Sequence, residues 1–245
     1  MKDASAKAIY RRVLLKLSGE ALQGNSLFGI DADRLARITD EIISALDLGV
    51  QLALVVGGGN LIRGADLCAA GLDRVTADQM GMLSTVINGL ALRDALLQRG
   101  REVVLLSAFG IPSIANQYDR CFAHDCLQAG KVVLFSAGTG SPLVTTDSAA
   151  SLRGVEIGAD ILLKATKVDG VFEDDPIKNP AAERFQHLTY SEVIERRLRV
   201  MDMTAVLLAQ EHSLPMRVFN MNRNGALQRI MLGDAIGTLI DNGQE

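Results

Sequence analysis

The apolar residues of this chain fall into two alternating rhythms. Short unbroken runs at Val13–Leu17, Gln51–Val56, Glu102–Ser107, Val132–Phe135, Asp160–Leu163 and Met216–Phe219, bounded by Gly, Ser or Pro, read as buried strands. Between them the apolar positions recur every three or four residues. Leu35, Ile38, Ile42 and Leu46 mark one helix, with Gly49 as its C-terminal stop, and Met80, Leu83, Ile87 and Leu90 mark a longer one ending near Gly100. Asp119 and Asp147 stand where N-caps would, ahead of helices ending near Gly130 and Gly158. Thr189 with Glu192 fits a capping box. The stripe Met80, Met82, Leu83 reads as core packing.

Repeated strand–helix–strand order predicts an α/β fold with a mainly parallel sheet covered by helices on both faces. In such sheets ligands sit at the carboxyl ends of the strands. With 245 residues, 48% hydrophobic and 22% charged, the chain suits a single domain over residues 1–245, with 1–9 as a flexible N-terminus.

Charge narrows the partners. Lys and Arg total 25 against 29 Asp and Glu, a net charge of −4, which argues against general nucleic-acid binding and leaves room for a local phosphate site. The three cysteines have no framework spacing and no secretory signal precedes them, so a reducing, cytoplasmic setting is expected. No apolar run approaches the roughly 20 residues that span a bilayer. Cys121, His124 and Cys126 share a short segment but fall short of the four ligands of a structural zinc site, so no protein-bound metal is expected.

The chemistry collects where the strands end. The first run closes on Lys16-Leu17-Ser18-Gly19, the second on Gly57-Gly58-Gly59-Asn60 with Arg63 following, the fourth on Gly138-Thr139-Gly140 through Asp147, the fifth on Lys164-Ala165-Thr166-Lys167. Glycines let backbone N–H groups approach an anion, and a helix expected just after them would add its positive end. A glycine triplet also serves as a plain tight turn, and Arg63 also reads as a solvated helix residue. Lys16 and Lys164, each at the end of an apolar run, suit either a snorkelling edge position or the spread positive charge that phosphoryl transfer needs. Asp147 reads as an N-cap or as the group orienting both lysines. Neither the P-loop nor the dinucleotide glycine pattern is present.

Together, Lys16 to Leu22, Gly57 to Asn60 with Arg63-Gly64, Asp78-x-Met80-Gly81-Met82, Gly138 to Asp147 and Lys164 to Val171 resemble the bacterial uridylate kinase branch of the amino acid kinase superfamily. The resemblance implies a three-layer α/β/α sandwich, a homohexamer and the reaction ATP + UMP → ADP + UDP with Mg²⁺, a step of pyrimidine nucleotide synthesis. By position, Lys16, Leu17, Ser18, Gly19, Gly59 and Arg63 would hold ATP phosphates, and Thr166, Phe172 and Asp175 its adenosine. Gly58, Asp78 and the stretch Thr139, Gly140, Ser141, Pro142, Leu143, Val144, Thr145, Thr146 would hold UMP, with Asp78 accepting from the ribose hydroxyls. Lys16, Lys164, Asp147 and Arg63 would carry the transfer.

The resemblance also implies GTP activation and UTP inhibition, with Gly24, Asn25, Ser26, Leu27, Phe28 and Gly29 matching the loop tied to the GTP response. Two positions depart from the enterobacterial pattern: Ser141 replaces an Asn facing uracil, and Val104 replaces an Arg associated with GTP. A non-catalytic nucleotide sensor is the competing class of reading, and intact Lys16, Arg63, Asp78, Asp147 and Lys164 argue against it.

Overall fold

In a computed structural model, residues 7–24, 28–174, 176, 178–179 and 181–243 are described. Asn25, Ser26, Leu27 and Asp175, four of the sequence-predicted site residues, lie outside them. The elements in chain order are β1 (Arg12–Leu17), a 3₁₀ turn (Gly19–Leu22), α1 (Ala32–Leu46), β2 (Gln51–Val56), α2 (Gly64–Ala69), α3 (Arg74–Gln98), β3 (Val103–Ser107) and β4 (Asn116–Gln117). There follow α4 (Arg120–Gln128), β5 (Val132–Ser136), α5 (Thr146–Glu156), β6 (Ile161–Thr166), β7 (His187–Thr189), α6 (Tyr190–Glu195), α7 (Met203–Glu211), β8 (Met216–Asn220), α8 (Ala226–Met231) and β9 (Thr238–Asp241).

Among the described residues, nine strands join one sheet in the order β4-β3-β5-β2-β1-β6-β8-β9-β7, and every pairing is parallel except β8 with β9. Alternate residues of each strand point to opposite faces, and both faces are dry. Val13, Leu15 and Leu17 of β1 pack with α1, α3 and α8, whereas Leu14 packs with α4, α5, α6 and α7 on the other side. The layers are therefore helix, sheet, helix, and the apolar runs are strands because only a strand buried on both faces tolerates so little polarity.

The helix ends follow local chemistry. Asp119 caps α4 by accepting from Phe122 N at 2.7 Å, and Thr189 with Glu192 forms the capping box of α6. Gly49 takes the left-handed conformation, φ +80°, just beyond α1. Three expectations are corrected. The cap of α5 is Thr145, whose hydroxyl accepts from the N–H groups of Asp147 and Ser148, so the Asp147 side chain is free for another task. The glycine triplet leads into a turn closed by Leu61 N and Ile62 N on the Gly58 carbonyl, and α2 starts only at Gly64 with Arg63 at its N-cap position. On α3, Met82 is buried but Leu83 and Ile87 are half exposed; the buried side carries Ala77, Ser84, Thr85, Asn88 and Gly89 together with Val86, Leu92 and Leu96.

Candidate active site

Lys16 and Lys164 are direct register partners on adjacent strands β1 and β6, so their side chains leave the same face of the sheet side by side. Asp147, in the first turn of α5, lies over them. Lys16 Nζ stands 2.6 Å from Oδ1 and Lys164 Nζ 2.7 Å from Oδ2 of this one carboxylate. Lys164 also donates to the Val200 carbonyl at 2.5 Å. All three side chains are largely buried. Two ammoniums on one carboxylate leave a net charge of +1 inside the protein, an arrangement that is costly without an anion to receive it.

The two partners' titrations reflect this asymmetry. Burial alone would push the Asp147 carboxyl up, but the charges of Lys16 and Lys164 and their hydrogen bonds outweigh it and hold it below the ordinary carboxylate value. Burial pulls Lys164 below the ordinary amine value, and the attraction of Asp147, opposed by repulsion from Lys16, does not restore it. The carboxylate sees two cations, whereas each cation shares one anion. Because the folded-state value of Asp147 is depressed, its stabilisation is complete above the unfolded carboxylate's value near pH 4 and is lost as pH falls through the folded value. Urea midpoints of the wild type should therefore fall more steeply below pH 4 than those of Asp147→Asn, which lacks the titrating group.

Two cavities adjoin the triad. Ser18, just past the end of β1, and Thr166, the last residue of β6, line one of about 250 Å³ together with Glu20, Gly24, Arg34, Arg37, Glu41, Lys167 and Asn222. Thr146, next to Asp147, lines a second of about 150 Å³ with Gly58, Gly59, Asp78, Thr139, Ser141 and Val144. Phe172 lines neither; its backbone bridges to Arg184. The Leu17 side chain is fully buried and its carbonyl accepts from Gly57 N, so little of it faces a ligand. Arg63 is half exposed, with Nη2 at 2.5 Å from Glu20 Oε1, and Glu20 Oε2 lies 3.7 Å from Lys167 Nζ.

The glycine loop is braced from behind. A Cβ on Gly19 would fall 2.7 Å from Gly59 N and 2.4 Å from Asn60 Oδ1, so the turns after β1 and β2 meet only because Gly19 lacks one. A Cβ on Gly59, by contrast, would meet nothing within 4 Å; its bare backbone faces open space. Asn88 of α3, fully buried, donates to the Gly57 carbonyl at 2.8 Å and to Asn60 Oδ1 at 2.7 Å. Asn60 in turn donates to the Gly29 carbonyl at 2.9 Å.

Asn88 gave no signal in the sequence, being one polar residue inside a helix. Asp202 gave none either. As the cap of α7 it accepts from Ala205 N at 2.9 Å, and it also accepts from Ser148 Oγ at 2.8 Å and from Thr145 Oγ1, so it clamps α7 to the start of α5 where Asp147 sits. At the mouth of the second cavity Asp78 accepts from Arg74 Nε, 3.0 Å from both oxygens, and from Leu143 N at 2.9 Å on Oδ2. In the segment holding Cys121, His124 and Cys126, Cys126 is buried while Cys121 is exposed.

The mainly parallel sheet between two helical layers agrees with the fold that the resemblance implies. A family model described as the amino acid kinase family matches residues 11–220. A uridylate kinase of Pseudomonas putida is 57% identical over 96% of this chain and 95% of its own length, and one of Aeromonas salmonicida is 58% identical over 97% and 98%. Among solved structures, a UMP kinase of Bacillus anthracis superposes with a TM-score of 0.93 at 40% identity, covering 96% of this chain and 97% of that one. A UMP kinase of Ureaplasma parvum gives 0.89 at 33%, covering 94% and 98%. The chain belongs to the amino acid kinase family and, within it, to the uridylate kinase group.

Proposed function

We propose that this protein transfers the γ-phosphoryl group of MgATP to UMP, giving ADP and UDP, as a step in pyrimidine nucleotide synthesis. The observation that carries the proposal is the buried Lys16–Asp147–Lys164 triad with a cavity on either flank. The donor nucleoside enters the cavity of Ser18 and Thr166, and its phosphates run past the bare Gly59 backbone toward Arg63. The acceptor enters the cavity of Gly58, Asp78 and the Thr139–Thr146 stretch. A UMP phosphate oxygen bonds to the γ-phosphorus as the bond from that phosphorus to the bridging oxygen of ADP breaks. The acceptor is already anionic, so no proton has to be removed, and the protein's contribution is positioning and charge.

Lys16 and Lys164 meet the charge that spreads over the transferring group, and Asp147 holds both ammoniums in place. Mg²⁺ enters with the nucleotide; among the described residues no cluster of three or more His, Cys, Asp or Glu offers it a separate seat.

GTP activation, UTP inhibition and a homohexamer are part of the proposal. The segment implied in the GTP response reaches the phosphate loop directly, since Gly29 exchanges backbone and side-chain hydrogen bonds with Asn60. Val104 in place of an Arg makes the GTP effect weaker than in the enterobacterial pattern. Half-exposed Val75, Leu83 and Ile87 along α3 offer an apolar face for assembly. No helix among the described residues is long and apolar enough to cross a membrane.

The test is a coupled ADP-release assay over a panel of acceptors, with and without GTP and UTP. UMP-dependent turnover well above that with CMP, aspartate, N-acetylglutamate or carbamate is expected. Preference for one of the others would move the protein to another member of the family, and tight UMP binding with no turnover would make it a sensor.

A further inference from the structure

Arg74 occupies the first turn of α3, a 25-residue helix. A cation there opposes the helix dipole, and an Arg four residues before an Asp is the less favourable order for a helical ion pair. The pair therefore contributes little to the helix, yet Arg74 Nε lies 3.0 Å from both Asp78 oxygens. A third bond reaches Asp78 from across the cavity. Leu143, exposed and left-handed at φ +68°, turns its N–H onto Oδ2 at 2.9 Å. Left-handed backbone is unfavourable for leucine, so the loop holds a poor conformation that delivers a donor to this carboxylate.

We propose that Arg74 and the Leu143 amide form a cradle that fixes Asp78 in one orientation as the reader of the acceptor's sugar, which makes Arg74 a positioning residue for selecting ribose over 2′-deoxyribose. This rests on the phosphotransfer reading above. A carboxylate has about four lone-pair sites. Leu143 N takes one site on Oδ2 and Arg74 Nε spans Oδ1 and Oδ2, so acceptor capacity remains, chiefly on Oδ1. A hydroxyl donating to that edge is rewarded only while the carboxylate cannot rotate. Without Arg74 only the single Leu143 bond on Oδ2 remains, the carboxylate can swing about it, and the 2′-hydroxyl loses its advantage over a hydrogen.

The experiment compares wild type, Arg74→Ala and Arg74→Lys with MgATP and either UMP or 2′-deoxy-UMP, with thermal melts confirming folding. Wild type should prefer UMP. In Arg74→Ala the KM for UMP should rise about tenfold, the size of one charge-assisted hydrogen bond. The KM for 2′-deoxy-UMP and for ATP should barely move, so that the ratio of kcat/KM values falls toward one. Arg74→Lys should recover part of the ratio. Equal losses for both acceptors, a shift in the KM for ATP, or a wild type that does not discriminate would overturn the cradle. If wild type phosphorylates neither acceptor, the phosphotransfer reading fails by itself. Calorimetric binding of UMP and 2′-deoxy-UMP to the same proteins then still decides the cradle by the same ratio.

Discussion

Lys16→Ala is expected to lower kcat by about 10³-fold, in the range seen when one preorganised charge or oxyanion donor is removed from a transition state. The KM for UMP should change little, because the ammonium matters most as charge moves onto the transferring oxygens. Stability should stay within about 1 kcal/mol of wild type, since the carboxylate keeps Lys164 and the repulsion between two buried cations disappears. Steady-state kinetics in both substrates, together with urea melts, separate these effects. A variant that lost UMP affinity and turnover in equal measure would mean that Lys16 grips the acceptor in the ground state.

Asp147→Asn should behave in the opposite way on stability. It leaves two ammoniums on neighbouring register positions, both largely buried, with no counter-charge. Breaking a buried pair by removing one partner typically costs about 3–5 kcal/mol, and about 3 kcal/mol is expected here because the amide oxygen still accepts from one lysine. The deficit has a signature. A lysine whose folded-state value is depressed destabilises in full below that value, and the penalty fades as pH rises from it to the unfolded lysine's value. The variant should therefore regain stability toward alkaline pH. ATP, an anion that binds only the folded form, should narrow the gap as well. If the two proteins melted alike at neutral pH without nucleotide, the triad would not hold the buried charges described above.

Strands and site were legible in the sequence to different depths. The six apolar runs became β1, β2, β3, β5, β6 and β8 with ends shifted by at most three residues, because a strand buried on both faces leaves a nearly uninterrupted signal. β4, β7 and β9 span two to four residues each and carry no period to read. Lys16 and Lys164 drew notice as charges ending apolar runs, and the register places them together. Asp147 was ambiguous because a first-turn carboxylate has a cap's sequence signature; only the hydroxyl of Thr145 resolves it.

The groups that hold these residues were not readable. Asp202 meets Thr145 from 57 positions away, and Leu143 N meets Asp78 from 65 away. No local pattern encodes such pairs. The face of α3 was misjudged for a related reason. Its apolar period is real, but the side turned to the sheet needs small and amide side chains to approach the glycine loop, and that leaves Leu83 and Ile87 to solvent.

The sheet also ends in stubs, two residues of β4 on one side and three of β7 on the other. Neither offers a long row of free N–H and C=O groups on which another chain can build. Aggregation by strand addition is thereby blocked in the folded state at both rims, although the largely apolar strands between them would be ready templates once unfolded. Self-association of the native protein is left to side chains on helical surfaces, where a single charged substitution at Leu83 or Ile87 can tune solubility without touching the sheet.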